Sequence, residues 1–108
     1  MTFKRWKNKC IEYSKSLGFV FKKETSTINL NDGSISLDEI FDFRSYDWCI
    51  LGYPELKINS DKDRIIATYT KEEIRSFKRY KEVQDAILLK YKELMVQMKL
   101  DDIKADFV

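Results

Sequence analysis

A long, uninterrupted helical pattern near the end of the chain limits the possible folds most. Residues 71–98 contain neither glycine nor proline, and their apolar residues recur at steps of three and four. This spacing predicts one helix with Thr70 as its N-cap and Glu73 completing a capping box. Tyr69 is expected to pack against Ile74. Such a helix is roughly 42 Å long, whereas a globule of this chain length is only about 34 Å across. We therefore expect its last turns to extend past the domain or to contact something.

The apolar residues of this helix form two stripes at about 100° per residue. Three of them, Leu89, Val96 and Leu100, follow one another at seven and four, the spacing of a narrow second seam. The broad stripe faces the predicted core and consists of Phe77, Tyr80, Ile87, Leu88, Tyr91, Leu94, Met95 and Met98.

Two arrangements of the chain are compatible with the narrow stripe. In the first, the helix is sandwiched within the fold or the C-terminal segment covers it, using Ile103, Phe107 and Val108. In the second, the stripe is a protein interface that also includes Lys92 and Glu93. The helix would then pair with a second copy of the chain or bind another protein.

The N-terminal segment predicts a second amphipathic helix. Thr2 is a suitable N-cap, and Gly18 stands where a helix often ends in a left-handed residue. The apolar residues between them recur at helical spacing: Phe3, Trp6, Cys10, Tyr13 and Leu17.

The middle of the chain predicts an antiparallel sheet. Residues 19–24, 48–53, 55–59 and 64–70 have the composition of strands, and 26–37 predicts a hairpin that turns at Asn31, Asp32 and Gly33. In that hairpin Ile28 and Leu30 are expected to face Ile35 and Leu37. Residues 36–44 fit either state, and their spacing favours a short helix. We thus expect a single α+β domain over 1–108, with three to five strands and the long C-terminal helix packed across them.

Composition restricts the class of protein. The chain carries 44% hydrophobic residues and has no apolar run of membrane-spanning length, so we expect a soluble, cytoplasmic domain. Cys10 and Cys49 lack metal-type spacing and are expected to be reduced and buried, with a single disulfide as the alternative. The lysine-rich composition fits an AT-rich bacterial or phage genome.

The sequence contains no established catalytic signature. It has no histidine and only three glycines, which excludes histidine triads, P-loops and dinucleotide fingerprints. Glu55 and Lys57 resemble the E-x-K half of the PD-(D/E)xK nucleases, with Asp42 or Asp47 as the upstream metal ligand. The resemblance spans only four residues. A metal-dependent nuclease is therefore a distant alternative to a protein without catalysis, cofactor, metal or small-molecule substrate.

Charge is arranged in blocks along the chain. The net charge is +6 over 1–23, −6 over 24–63, +4 over 64–100 and −2 over 101–108. A basic two-helix surface for nucleic acid or an acidic partner would use Lys4, Arg5, Lys15, Lys71, Arg75, Lys78 and Arg79. An acidic face would use Asp38, Glu39, Asp42, Asp47 and Glu55. Mutual neutralisation within one fold is the simpler explanation of both sets.

These patterns together favour an interaction protein without catalytic activity. We expect a small regulator or inhibitor, of phage or mobile-element type, that binds another protein or a second copy of itself. A nucleic-acid-binding module is the alternative, and no membrane partner is expected.

Overall fold

The structure is a computed structural model that describes residues 2–31, 36–44, 49–68 and 70–106. At 31, 36, 38 and 101–106 it describes the backbone alone. In chain order the elements are α1 (Phe3–Ser16), β1 (Val20–Lys22), β2 (Thr27–Asn31), β3 (Ser36–Asp42), β4 (Ile50–Gly52), β5 (Leu56–Ile58), β6 (Ile65–Ala67), β7 (Glu72–Ile74) and α2 (Phe77–Asp106). The predicted α+β architecture is confirmed.

Helix α1 begins and ends where the sequence predicts. The Thr2 side chain accepts a hydrogen bond from the Arg5 backbone N–H, and Gly18 adopts a φ of 96° just beyond the helix. Trp6 and Cys10 of the predicted stripe are buried, and its other members are half-buried. Ser14 is also fully buried, which the apolar pattern did not indicate.

Two antiparallel sheets lie between the helices in sequence. The larger has the strand order β1-β2-β3-β4-β7, and the smaller pairs β5 with β6. Gly52 on β4 lies between Phe41 of β3 and Ile74 of β7, where a Cβ atom would approach the Ile74 side chain to 2.8 Å. A larger residue at this position would therefore force the neighbouring strands to shift.

The short helix predicted over 36–44 is wrong, because this segment is strand β3. The predicted hairpin required Leu30 to face Ile35 and Ile28 to face Leu37. Instead Leu30 pairs with Leu37 and Ile28 pairs with Phe41, so the predicted register is wrong. The pairing with Ile35 and the turn at 32–34 lie outside the described residues. An irregularity separates the two registers, and Glu39 there has a φ of 55°. The Asn29 side chain accepts from the Glu39 N–H at 2.7 Å, which holds the bulge in place.

This bulge explains why the apolar spacing of residues 36–44 resembles that of a helix. Extra residues in one strand shift its side-chain alternation. The buried residues of β3 and its extension are therefore Leu37, Ile40, Phe41 and Phe43, and a gap of three among them imitates helical spacing.

The predicted start of the long helix is also wrong. Residues 72–74 form β7, paired with β4, and helix α2 begins at Phe77. The Ser76 hydroxyl accepts from the Arg79 N–H at 3.1 Å and serves as the cap. Thr70, the expected cap, instead donates to Glu55. The sheet thus takes up a segment whose local sequence satisfied a capping box, and Tyr69 lies outside the described residues.

Helix α2 contacts the sheet through the Tyr80 ring, and it contacts α1 through both polar and aromatic side chains. The Tyr80 ring lies 4.5 Å from that of Phe41 and 6.0 Å from that of Phe43. The Tyr80 hydroxyl donates to Ser14 Oγ, which donates to Gln84 Oε1, both at 2.6 Å. Because Tyr80 is buried, its pKa is raised well above the usual value, so the hydroxyl remains a donor.

The molecule is elongated, and α2 spans much of its length. The helix has 30 residues, or about 45 Å at 1.5 Å per residue. The principal extents are 57 × 23 × 23 Å, and the radius of gyration is 15.2 Å rather than the roughly 13 Å of a compact chain of this length. Helix α2 stays packed against the core as far as Met98, so the expected extension of its last turns past the domain stays a prediction.

Candidate interaction surface

An apolar strip lies on the outer side of the second half of α2. It consists of Leu89, Val96 and Leu100, which are 60%, 58% and 52% exposed. We call these three residues the distal seam. Residues 101–106 continue α2, so this part of the C-terminal segment does not fold back over the seam. Phe107 and Val108 lie outside the described residues, and Ile103 is described by its backbone alone.

The distal seam is exposed because the opposite side of the same turns fills the core. Ile87, Tyr91 and Leu94 are buried, while Leu88, Met95 and Met98 pack partly against the core. These six residues belong to the broad stripe that the sequence predicted. Successive residues of a helix are separated by about 100°, so side chains at 89, 96 and 100 must point away from this stripe.

The outward side of α2 changes character along its length. In the first half, the positions in line with the seam carry the exposed, charged residues Lys78, Glu82 and Asp85. In the second half, the same line carries Leu89, Val96 and Leu100. A helix that only needed a solvated outer face would continue the polar pattern, so the change marks the second half as distinct.

Charged residues border the distal seam unevenly. Lys92 and Lys99 project on one side of it at about 60–80° from Leu89, and Glu93 projects on the other side at about 40°. All three are exposed. None forms an ion pair with another described residue. One border of the seam is therefore positive and available to a partner.

The seam also lies beyond the region where α1 supports α2. Side-chain interactions between the helices involve Phe77, Tyr80, Lys81, Gln84 and Asp85 of α2. The distal seam begins at Leu89, one turn later. An incoming helix or strand could therefore reach it without contacting α1.

The predicted basic surface is only partly free. The Arg79 guanidinium donates to Glu72 at 2.5 and 2.6 Å and to Glu82 at 3.2 Å. Arg75 pairs with Glu73, and Lys15 pairs with Glu12. The remaining members are exposed without an ion pair to a described residue, namely Lys4, Arg5, Lys71 and Lys78.

Of the predicted acidic face, the structure describes the side chains of Glu39, Asp42 and Glu55, and whether all five residues share one face stays a prediction. Arg44 binds both carboxylate oxygens of Asp42. Burial raises the pKa of Asp42, but the hydrogen bonds and charge of Arg44 outweigh burial and lower it overall. Glu55 accepts from Thr68 and Thr70, and Glu39 is exposed at the bulge. The side chains of Asp38 and Asp47 lie outside the described part.

The nuclease resemblance gains no support from these positions. Asp42 lies on β3 of the larger sheet, whereas Lys57 lies on β5 of the smaller one. Within the part of the chain that the structure describes, no group of three acidic, histidine or cysteine side chains is placed to hold a metal ion.

Both cysteines are buried free thiols, so the alternative of a disulfide between them is wrong. Burial raises the pKa of Cys10 to about 12, although Lys9 opposes this shift. The Cys10 thiolate is therefore scarce at neutral pH, and this residue serves as a small core side chain.

Three residues that shape the α1–α2 contact were missed by the sequence analysis. Ser14 and Gln84 lie four residues after Cys10 and Tyr80, on the same helix faces, so the i, i+4 spacing was an available signal. Lys81 places its ammonium 5.6 Å from the centroid of the Tyr13 ring on α1, and no local pattern indicates that contact between the helices.

No helix in the described ranges is both long enough and apolar enough to cross a lipid bilayer. Comparison with known proteins gives no functional information: no family model, curated protein or solved structure matches this chain.

Proposed function

We propose that this chain acts by binding another protein through the distal seam of α2, as a small regulator or inhibitor without catalytic activity. The observation that carries the proposal is the exposure of Leu89, Val96 and Leu100 on a part of the helix that projects beyond α1. Helices that present apolar residues at such spacing commonly dock against a complementary apolar groove or helix.

The free energy available from the seam sets a requirement on the partner. Fully burying a leucine or valine contributes about 1.5–3 kcal/mol, so covering half of each contributes about 1 kcal/mol or slightly more. Three residues then supply about 3–5 kcal/mol, whereas a micromolar complex needs about 8 kcal/mol. Further contacts are required, and the adjacent lysines are the nearest groups that can supply them.

The charge pattern favours a different protein over a second copy of this chain. In an antiparallel pair of identical helices, symmetry places the border with Lys92 and Lys99 against the same border of the other copy. The antiparallel arrangement therefore opposes like charges. A partner with acidic residues beside an apolar strip avoids this repulsion.

Site-specific photo-crosslinking in cells of the source organism tests the proposal. A photoreactive benzoylphenylalanine at Val96 should give one dominant adduct with a different protein. The same residue at Val20, which is 50% exposed on β1, should give no such adduct. The substitutions Leu89→Lys and Leu100→Lys in the Val96 probe should abolish the adduct, because they remove its apolar neighbours.

Three results would contradict the proposal. An adduct at twice the 12.9 kDa mass of the chain would identify a second copy as the partner. Equal adducts from positions 20 and 96, or persistence of the Val96 adduct in the lysine variant, would show that capture does not depend on the seam.

A further inference from the structure

A second surface, independent of the distal seam, lies where α1 and α2 run side by side. The ammonium of Lys9 lies 4.5 Å from the centroid of the Phe77 ring, and that of Lys81 lies 5.4 Å from the same centroid. The two positively charged ammonium groups share one ring and therefore lie within about 10 Å of each other. Cation–π attraction to the ring of about 0.5–1 kcal/mol each offsets part of their repulsion.

Each of these lysines has a cationic neighbour one turn before it. Arg5 precedes Lys9 by four residues on α1, and Lys78 precedes Lys81 by three on α2, so each pair shares a helix face. All four are exposed. None forms an ion pair with another described residue. We call these four residues the basic cluster.

The N-terminal ends of α1 and α2 add to the positive potential at the basic cluster. The two helices run in the same direction. Lys9 of α1 contacts Phe77 of α2, and Tyr13, further along α1, contacts Asp85, further along α2. Both helices therefore begin toward the same end of the molecule. A helix N-terminus normally favours acidic residues, yet neither α1 nor α2 has one in its first turn.

Nearby acidic residues are already engaged elsewhere. Glu12 pairs with Lys15, and Asp85 accepts a hydrogen bond from the Tyr13 hydroxyl. Glu72 and Glu82 both bind Arg79. These contacts leave a negative charge on Asp85 and one on the two glutamates that share Arg79, but none of these acids forms an ion pair with a member of the basic cluster.

We propose that the basic cluster, Arg5, Lys9, Lys78 and Lys81, binds the phosphate backbone of double-stranded nucleic acid without reading base sequence. Four exposed cations, two of them held over the Phe77 ring, suit a regular array of phosphates. The neighbouring aromatic rings, Tyr13 and Phe77, are half-buried and have lysines over them, so they are not open platforms for unpaired bases. The exposed large apolar residues among those described lie on β1 and the distal half of α2, so this surface offers none for insertion into a membrane.

Fluorescence anisotropy with a labelled 20-base-pair duplex tests this inference. Binding should weaken with salt, with a slope of log K against log salt of about −3 to −4 for four phosphate contacts. The variant Lys9→Glu/Lys81→Glu should bind at least 10-fold more weakly at 100 mM salt and show a shallower slope. Arg5→Gln/Lys78→Gln should also weaken binding, with less disturbance of the helix contact.

The matched control is Lys23→Glu/Lys57→Glu, which changes the net charge equally at two exposed positions outside the helices. It should lower affinity less than threefold, and circular dichroism should show that every variant is folded. Equal losses from control and cluster variants would overturn the inference. Wild-type binding that is absent at 50 mM salt, or stronger to anionic lipid vesicles than to the duplex, would also overturn it. Because the distal seam takes no part, Leu89→Gln/Val96→Gln should leave duplex affinity unchanged.

Discussion

At the scale of single residues, the contact between the two helices depends on a few buried polar groups. Ser14 accepts from Tyr80 and donates to Gln84, and all three side chains are fully buried. Removing the serine hydroxyl leaves two buried groups without this partner. An unsatisfied buried group costs about 1–3 kcal/mol, more than a typical hydrogen bond contributes.

We therefore predict that Ser14→Ala lowers the free energy of unfolding by about 2–3 kcal/mol, measured by urea denaturation. The control is Ser16→Ala, whose exposed hydroxyl donates to the Tyr13 carbonyl and which should cost about 0.5 kcal/mol. Equal effects of the two substitutions would show that the buried network does not stabilise the fold.

A second residue-scale prediction concerns alkaline pH. The hydrogen bond to Asp85, with smaller contributions from burial and the Asp85 charge, raises the pKa of Tyr13 to about 12. The unfolded chain loses this proton near pH 10. The stabilisation is therefore complete below pH 10 and is lost as the pH rises to about 12.

The comparison of wild type with Tyr13→Phe isolates this effect, because the lysines titrate in both proteins. We expect the wild type to be more stable by about 1 kcal/mol at pH 8, since solvent screens this exposed bond. The difference should shrink at pH 11 and above. A difference that stays constant from pH 8 to pH 11.5 in urea denaturation would contradict the assignment.

At the scale of elements, a substitution in β3 should change the free energy of unfolding in opposite directions for a bulged strand and for a helix. Glu39 adopts a positive φ that disfavours side chains other than glycine. Glu39→Gly should therefore raise the free energy of unfolding by about 0.5–1 kcal/mol. In a helix over 36–44, the same change would lower it by about 1 kcal/mol. Urea denaturation of the two proteins decides between the structures, with Glu24→Gly in the preceding turn as the comparison.

The elements that the sequence predicted correctly are those with strong local signals. Thr2 and Gly18 delimit α1, and the broad apolar stripe of α2 is confirmed at Ile87, Tyr91 and Leu94. The two errors arose where distant pairing overrides local preference. Segment 72–74 satisfies a capping box but pairs with β4, and the bulge at Glu39 gives a strand the apolar spacing of a helix.

The candidate surfaces were predictable to different degrees. Helical periodicity alone separated Leu89, Val96 and Leu100 from the core stripe, and their exposure follows from it. The basic cluster was not predictable in its final form. Lys9 and Lys81 come together only through the packing of α1 on α2, and Arg79 is removed from the set by a contact with Glu72 on β7.

At the scale of the whole molecule, the long helix contributes to both candidate surfaces. The first half of α2 packs on α1 and on the larger sheet. The second half buries Tyr91 and Leu94 against the core and carries the distal seam on its outer side. We propose that the first half carries part of a polyanion surface and the second a protein-binding seam, and each can be altered without unfolding the other.

Urea denaturation of Leu89→Gln/Val96→Gln/Leu100→Gln tests most directly whether the seam lies outside the fold. Glutamine is a good helix former and is uncharged, like the leucines and the valine that it replaces. The substitutions therefore change little except the apolar character of the seam. We predict that the free energy of unfolding changes by less than about 1 kcal/mol and that the wild-type midpoint is independent of protein concentration. Ile87→Gln, at a fully buried position of the same helix, should cost about 3 kcal/mol or more. A loss in the triple variant as large as that of Ile87→Gln, or a midpoint that rises with concentration, would contradict the claim that the isolated chain leaves this seam uncovered.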